Sequence, residues 1–110
     1  MKAFYDEQVA LLAARNADDL VDKHYADDAE MVVLSGEEPI VVKGSDALKN
    51  LFSSYLEYVY RGFISTEKFA STDDSLMFEA TIDTVNGPVR IYDAMVLKDG
   101  KIVKHYSGVK

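Results

Sequence analysis

The sequence predicts an α+β domain in which three helices, all in the N-terminal half, pack on a strongly curved, mainly antiparallel sheet. Three observations predict it. Apolar residues recur at helical spacing in two stretches before residue 62, the period changes to two from Phe63 onward, and turn pairs punctuate the second half at Asn86-Gly87 and Asp99-Gly100. With 110 residues, 48% of them hydrophobic, the chain can bury one core, and no repeat or linker divides it, so residues 1–110 form a single domain.

The first helix is expected over residues 2–15, where Tyr5, Val9 and Leu12 fall at i, i+4 and i+7 among helix-favouring alanines. Asn16 can cap a second, shorter helix. Asp18 and Asp19 then lie in its first turn, and Leu20, Val21, His24 and Tyr25 form its inner stripe. Residues 30–34 read as a strand, and the turn Ser35-Gly36-Glu37-Glu38-Pro39 leads to a short partner, Ile40-Val41-Val42. A third helix follows Gly44 and an N-cap at Ser45, with Leu48, Leu51, Phe52, Tyr55, Leu56 and Val59 on one face until Gly62. Four strands at about 63–71, 75–85, 88–98 and 101–109 complete the chain as a meander. Long strands joined by tight turns must coil, and three helices do not fill the concave side, which leaves room for an apolar pocket.

Composition excludes several functions. The net charge of −7 comes from 19 acidic and 12 basic residues, and the basic ones are scattered, so neither nucleic acid nor anionic membrane is an expected partner. No cysteine is present, which removes thiolate chemistry, disulfides and cysteine-ligated zinc. Two histidines far apart and no carboxylate loop motif argue against a metal site, and no cofactor is expected. The first seven residues lack the apolar stretch of a secretory signal, and no run approaches bilayer-spanning length; a cytoplasmic location is expected.

Two segments, Tyr25-Ala26-Asp27-Asp28-Ala29 and Asp93-Ala94-Met95-Val96-Leu97-Lys98-Asp99-Gly100-Lys101-Ile102, together with the element order, resemble the nuclear transport factor 2-like superfamily. That superfamily includes ketosteroid isomerases, scytalone dehydratase, limonene epoxide hydrolase and SnoaL-like polyketide cyclases, and the chain is most similar to the SnoaL-like and ketosteroid isomerase-like branch. The resemblance implies a cone-like fold, often dimeric, and leaves the reaction open. The isomerase base falls at Val33 and the isomerase tyrosine at Val9, so both groups are gone, while the second oxyanion donor matches Asp93. The acid/base carboxylate that ends the cyclases' last strand is replaced by Ser107 in Lys104-His105-Tyr106-Ser107. Arg90 precedes Asp93 by three residues rather than two, which puts the epoxide hydrolase pair on opposite faces.

What remains is an acid–base pair, Asp93 with His105. A three-residue loop Lys98-Asp99-Gly100 would set them directly opposite; a two-residue loop would pair Asp93 with Tyr106. The three-residue loop is the expectation, with Asp93 orienting the imidazole and His105 moving a proton on a hydrophobic, carbonyl-bearing ligand. Val33, Tyr55 and Ser107 are expected to touch that ligand. The plainer alternative is that Asp93 and His105 only satisfy each other inside the sheet. A Ser107, His105, Asp93 triad is rejected, since Ser107 and His105 lie two apart on one strand and no nucleophile elbow exists. His24 reads as a helix-end or packing residue, and Glu79, Thr81 and Asp83 as a solvated outer face. Two functional classes follow: a small-molecule-binding domain of isomerase, cyclase or lyase type, and a non-catalytic dimerisation or protein-interaction module. A homodimer through the convex sheet face is expected, with Val96, Ile102 and Tyr106 supplying apolar contact.

Overall fold

The computed structural model describes all residues, Met1 to Lys110. The order is α1 (Lys2–Ala13), α2 (Ala17–His24), β1 (Tyr25–Val33), β2 (Ile40–Lys43), α3 (Ser45–Tyr58), β3 (Tyr60–Ser71), β4 (Ser75–Thr84), β5 (Gly87–Lys98) and β6 (Lys101–Val109). The six strands form one unclosed sheet in the order β2-β1-β6-β5-β4-β3, antiparallel except for the parallel β1–β6 pair. This is the α+β architecture expected, three helices over a curved sheet.

Local chemistry explains most element ends. Asn16 is extended and its side chain accepts a hydrogen bond from the Asp19 amide, capping α2 as anticipated. The N-cap of α3 is Gly44, not Ser45. Gly44 sits at φ 92°, a left-handed geometry that a side chain would strain, and no side chain caps the helix. Between α1 and α2 the chain turns at Arg15, whose guanidinium donates to the carbonyls of Leu56 and Tyr60 and ties that corner to the end of α3. The core lies between the helices and the concave face, with Leu20 and Val21 of α2, Leu48 and Phe52 of α3, and Leu76, Met95 and Ile102 of the sheet all buried.

Two parts of the sheet differ from a regular meander. The β5–β6 turn is the two-residue Asp99-Gly100, both at positive φ (52° and 80°), as in a type I′ hairpin. Lys98 pairs with Lys101 and Leu97 with Ile102, but Val96 then pairs with Lys104, leaving Val103 as an extra, bulged residue. The bulge moves the register on by one, so Asp93 pairs with Ser107 and Met95 with His105, rather than Asp93 with His105 or with Tyr106. The two-residue turn sets Ile102 opposite the buried Leu97, where it is fully buried in the core, so Ile102 does not belong to the convex face. In β3 the ladder to β4 slips three times, leaving Arg61, Ile64 and Glu67 without partners. Tyr60, Phe63, Thr66 and Phe69 therefore share the concave side at a spacing of three, where alternation predicted two.

Candidate functional site

The helices leave a cavity of about 440 Å³ in the concave face. Of the 26 residues that line it, 18 are hydrophobic, and none is Lys or Arg. Helix α1 supplies Tyr5, Gln8 and Val9; α3 supplies Leu51, Phe52 and Tyr55; the sheet supplies the floor. The register dictates that floor. Parallel pairing sets Met31 beside His105 and Val33 beside Ser107, while antiparallel pairing sets Met95 and Asp93 on their other side. Asp93, His105, Ser107, Val33 and Tyr55 all border the one cavity.

Asp93 and His105 sit diagonally across two strands, with Asp93 Oδ1 2.6 Å from His105 Nε2. The aspartate is 6% exposed and the histidine 3%. The other imidazole nitrogen, Nδ1, lies 2.9 Å from the Tyr25 hydroxyl. Both ring nitrogens are thus engaged within the protein. Asp93 Oδ2, by contrast, has no protein partner and is not sealed from the cavity, since no fully enclosed polar side-chain atom lacks a hydrogen bond. Together with the Ser107 hydroxyl, which also makes no hydrogen bond within the protein, it is left at the floor for a ligand to meet.

The polar chain continues from Tyr25 through α1 to α2. Gln8 Nε2 donates to the Tyr25 hydroxyl over 3.2 Å, Gln8 Oε1 is 2.6 Å from Nδ1 of His24, and Nε2 of His24 is 3.3 Å from the carboxylate of the exposed Glu7. Burial pushes the Tyr25 hydroxyl far above its ordinary range, so it stays a protonated donor. Tyr55 is likewise pushed up, by burial first and by the Asp93 charge second. The Tyr55 and Tyr60 hydroxyls make no hydrogen bond within the protein and border the cavity, whereas Tyr5 is bonded to Thr66 over 2.6 Å.

Other titratable groups lie elsewhere. Glu79 is buried on the outer face between Lys68 and Lys110, and Thr81 donates there to Glu67, which also pairs with Arg90 at 3.0 Å. These side chains do not border the cavity, so the outer-face placement expected for Glu79 and Thr81 holds, but Glu79 is buried between Lys68 and Lys110 rather than solvated. No group of three or more His, Cys, Asp or Glu side chains is arranged to hold a metal ion. Sequence reasoning missed Gln8 and the hydroxyl role of Tyr25. The signal for Gln8 was its position three residues after Tyr5, inside the apolar arc of α1.

Neither the family models nor the curated proteins contain a match to this sequence. Solved structures do match. A nuclear transport factor 2-like protein of unknown function from Burkholderia pseudomallei superposes with a TM-score of 0.80 at 12% identity, covering 99% of this chain and 89% of the other. A second such protein, from Burkholderia xenovorans, gives 0.78 at 20% identity over 99% and 81% of the two chains. A protein of ketosteroid isomerase-like fold from Catenulispora acidiphila, in complex with trimethylamine, gives 0.77 at 13% identity over 94% and 82%. The chain has the nuclear transport factor 2-like cone fold of the ketosteroid isomerase-like kind. At these identities the likeness is one of fold, and the chemistry rests on the side chains of this chain.

Proposed function

We propose that the domain binds a small, largely apolar, carbonyl-bearing molecule and that Asp93, buttressed by His105, exchanges a proton with it. The observation that carries this reading is the unpartnered Asp93 Oδ2 at the floor of an apolar cavity whose lining contains no cation. The imidazole bonded to the other Asp93 oxygen fixes the direction in which this free oxygen faces the cavity. His105 then acts as the positioning group, the reverse of the division of labour expected from the sequence. The Tyr55 and Tyr60 hydroxyls are available to donate to a carbonyl oxygen as negative charge develops there. The Catenulispora protein of this fold is in complex with a small molecule, trimethylamine, which supports a small-molecule-binding role.

Incubating the protein with a panel of small apolar ketones in D2O, and following loss of their α-proton signals by NMR, tests the proposal. Wild type is expected to accelerate exchange of at least one ketone, and Asp93→Asn to lower that rate by roughly 10²-fold or more. Exchange unchanged in Asp93→Asn, or no exchange and no ligand that raises the melting temperature, would remove the reading.

We also propose self-association through the convex face. Register places Val41, Val32, Tyr106, Ala94, Met77 and Ala70 side by side across all six strands, an apolar row in which Val41, Tyr106 and Met77 are 57%, 40% and 48% exposed. Light scattering should give a dimer mass for wild type and a monomer for Met77→Lys/Tyr106→Lys; a wild-type monomer at tens of micromolar would refute it.

A further inference from the structure

The hydrogen bonds from Asp93 to Glu7 form one unbranched chain: Asp93, His105, Tyr25, Gln8, His24, Glu7. Its direction is set by Gln8. An amide has one accepting end and one donating end, so with Oε1 turned to His24 and Nε2 to Tyr25, every later proton is placed. His24 donates through Nδ1, Gln8 donates to Tyr25, Tyr25 donates to His105 Nδ1, and His105 donates through Nε2 to an ionised Asp93. Each interior group is satisfied.

The chain ends in a carboxylate at both sides, and a one-way run of donors can point a proton at only one of them. In the order described, the buried Asp93 receives its proton donor, and neutral His24 turns a bare Nε2 toward Glu7. That mismatch is cheap, because the Glu7 side chain is 59% exposed and water can intervene. Reversing Gln8 gives His24 Nε2–H facing Glu7, and places a bare His105 Nε2 against Asp93 in a buried pair, where the mismatch costs more than at exposed Glu7. The two orders hold the same number of protons. One further proton relieves either of them, taken up on His24 in the first and between His105 and Asp93 in the second.

We infer that Gln8 is a positioning residue for the pocket: its amide orientation couples the proton carried by the peripheral His24 to the tautomer of His105 and hence to the charge presented by Asp93. The groups facing His24 are Glu7 and Gln8 from α1, Phe4 stacked on its ring at 3.9 Å, and neighbouring Lys23; those facing His105 are Asp93 from β5 and Tyr25 from β1. This coupling deepens the proton-exchange reading given above, yet it is tested on the ligand-free protein, so either can fail while the other stands.

The test is long-range 15N NMR of the two imidazoles. Wild type should show His105 protonated on Nε2 and neutral His24 on Nδ1. The amide introduced by Asp93→Asn can donate to His105 Nε2, which removes the reason for the first order; the chain then runs the other way with every group paired. Asp93→Asn should therefore switch both histidines, His105 to Nδ1–H and the remote His24 to Nε2–H, and in a Gln8→Leu background the same substitution should leave His24 unmoved. Opposite tautomers in wild type, or a His24 that ignores Asp93→Asn while Gln8 is intact, would overturn the inference. Should Asp93→Asn fail to fold, Gln8→Leu decides it alongside the wild-type assignment: with the relay cut, neutral His24 should move to Nε2–H facing Glu7 while His105 keeps Nε2–H, and a His24 that stays Nδ1–H without Gln8 counts against the coupling.

Discussion

Replacing Tyr25 by Phe removes one oxygen from the middle of the buried chain and nothing else. The ring is fully buried and packs at 5.5 Å against Phe52, and those contacts survive in Phe. What is lost is the group that accepts from Gln8 Nε2 and bonds His105 Nδ1. Two buried polar atoms are left without partners, at about 1–3 kcal/mol each before relaxation, so a loss of about 2–4 kcal/mol is expected. Against a domain stability of about 5–15 kcal/mol this is a large fraction. With a urea m-value of about 1.3 kcal/mol/M, the unfolding midpoint should fall by about 2 M with the slope unchanged. A fall of under about 0.5 M would show that the hydroxyl's bonds contribute little net stability, and would refute the view of Tyr25 as the keystone of a desolvated network.

Three further outcomes are expected. An added Cβ at Gly108 would lie 2.2 Å from Cζ of Tyr92, whose ring crosses the glycine from the neighbouring strand, so Gly108→Ala should cost about 1–3 kcal/mol in denaturant melts. That cost should largely vanish in a Tyr92→Ala background. Burial, opposed by Glu7, lowers the His24 pKa below its unfolded value, so unfolded chains bind the proton first and stability should decline as pH falls below about 6.5; His24→Gln should flatten that part of a stability profile. Glu79 acts in the same direction at lower pH: its hydrogen bond from Lys110, aided by Lys68, depresses its carboxyl, and the stability it contributes is present above the ordinary carboxylate range and lost as pH drops through the depressed value, a limb that Glu79→Gln should remove.

Periodicity and turn chemistry were enough to read α1, α3 and the hairpins, which carry their signals locally, but not the start of β1: Tyr25, expected on the inner stripe of the second helix, begins that strand. The shared face of Asp93, His105 and Ser107 was legible for the same reason. Register was not. Val103, Arg61, Ile64 and Glu67 are bulged by the demands of a coiling sheet, and nothing in those residue types distinguishes them from paired neighbours. The parity of the site survived because one bulge added to a two-residue loop shifts Asp93 by two places from the expected partner, which returns it to the same face. Gln8 was hidden because a glutamine in an amphipathic helix ordinarily meets water, and its partners lie 16 and 17 residues away.

The three slips in β3 bear on how the protein behaves at high concentration. β2 and β3 bound the sheet, and β2 spans four residues, so β3 is the long edge open to another chain. An incoming strand needs an uninterrupted ladder of donors and acceptors, and β3 breaks its own rhythm at Arg61, Ile64 and Glu67. Few consecutive residues along that edge keep a regular spacing. The irregularity that bends the wall of the cavity thus also makes this edge a poor template for a strand of another copy, and so a poor start for sideways growth into fibrils.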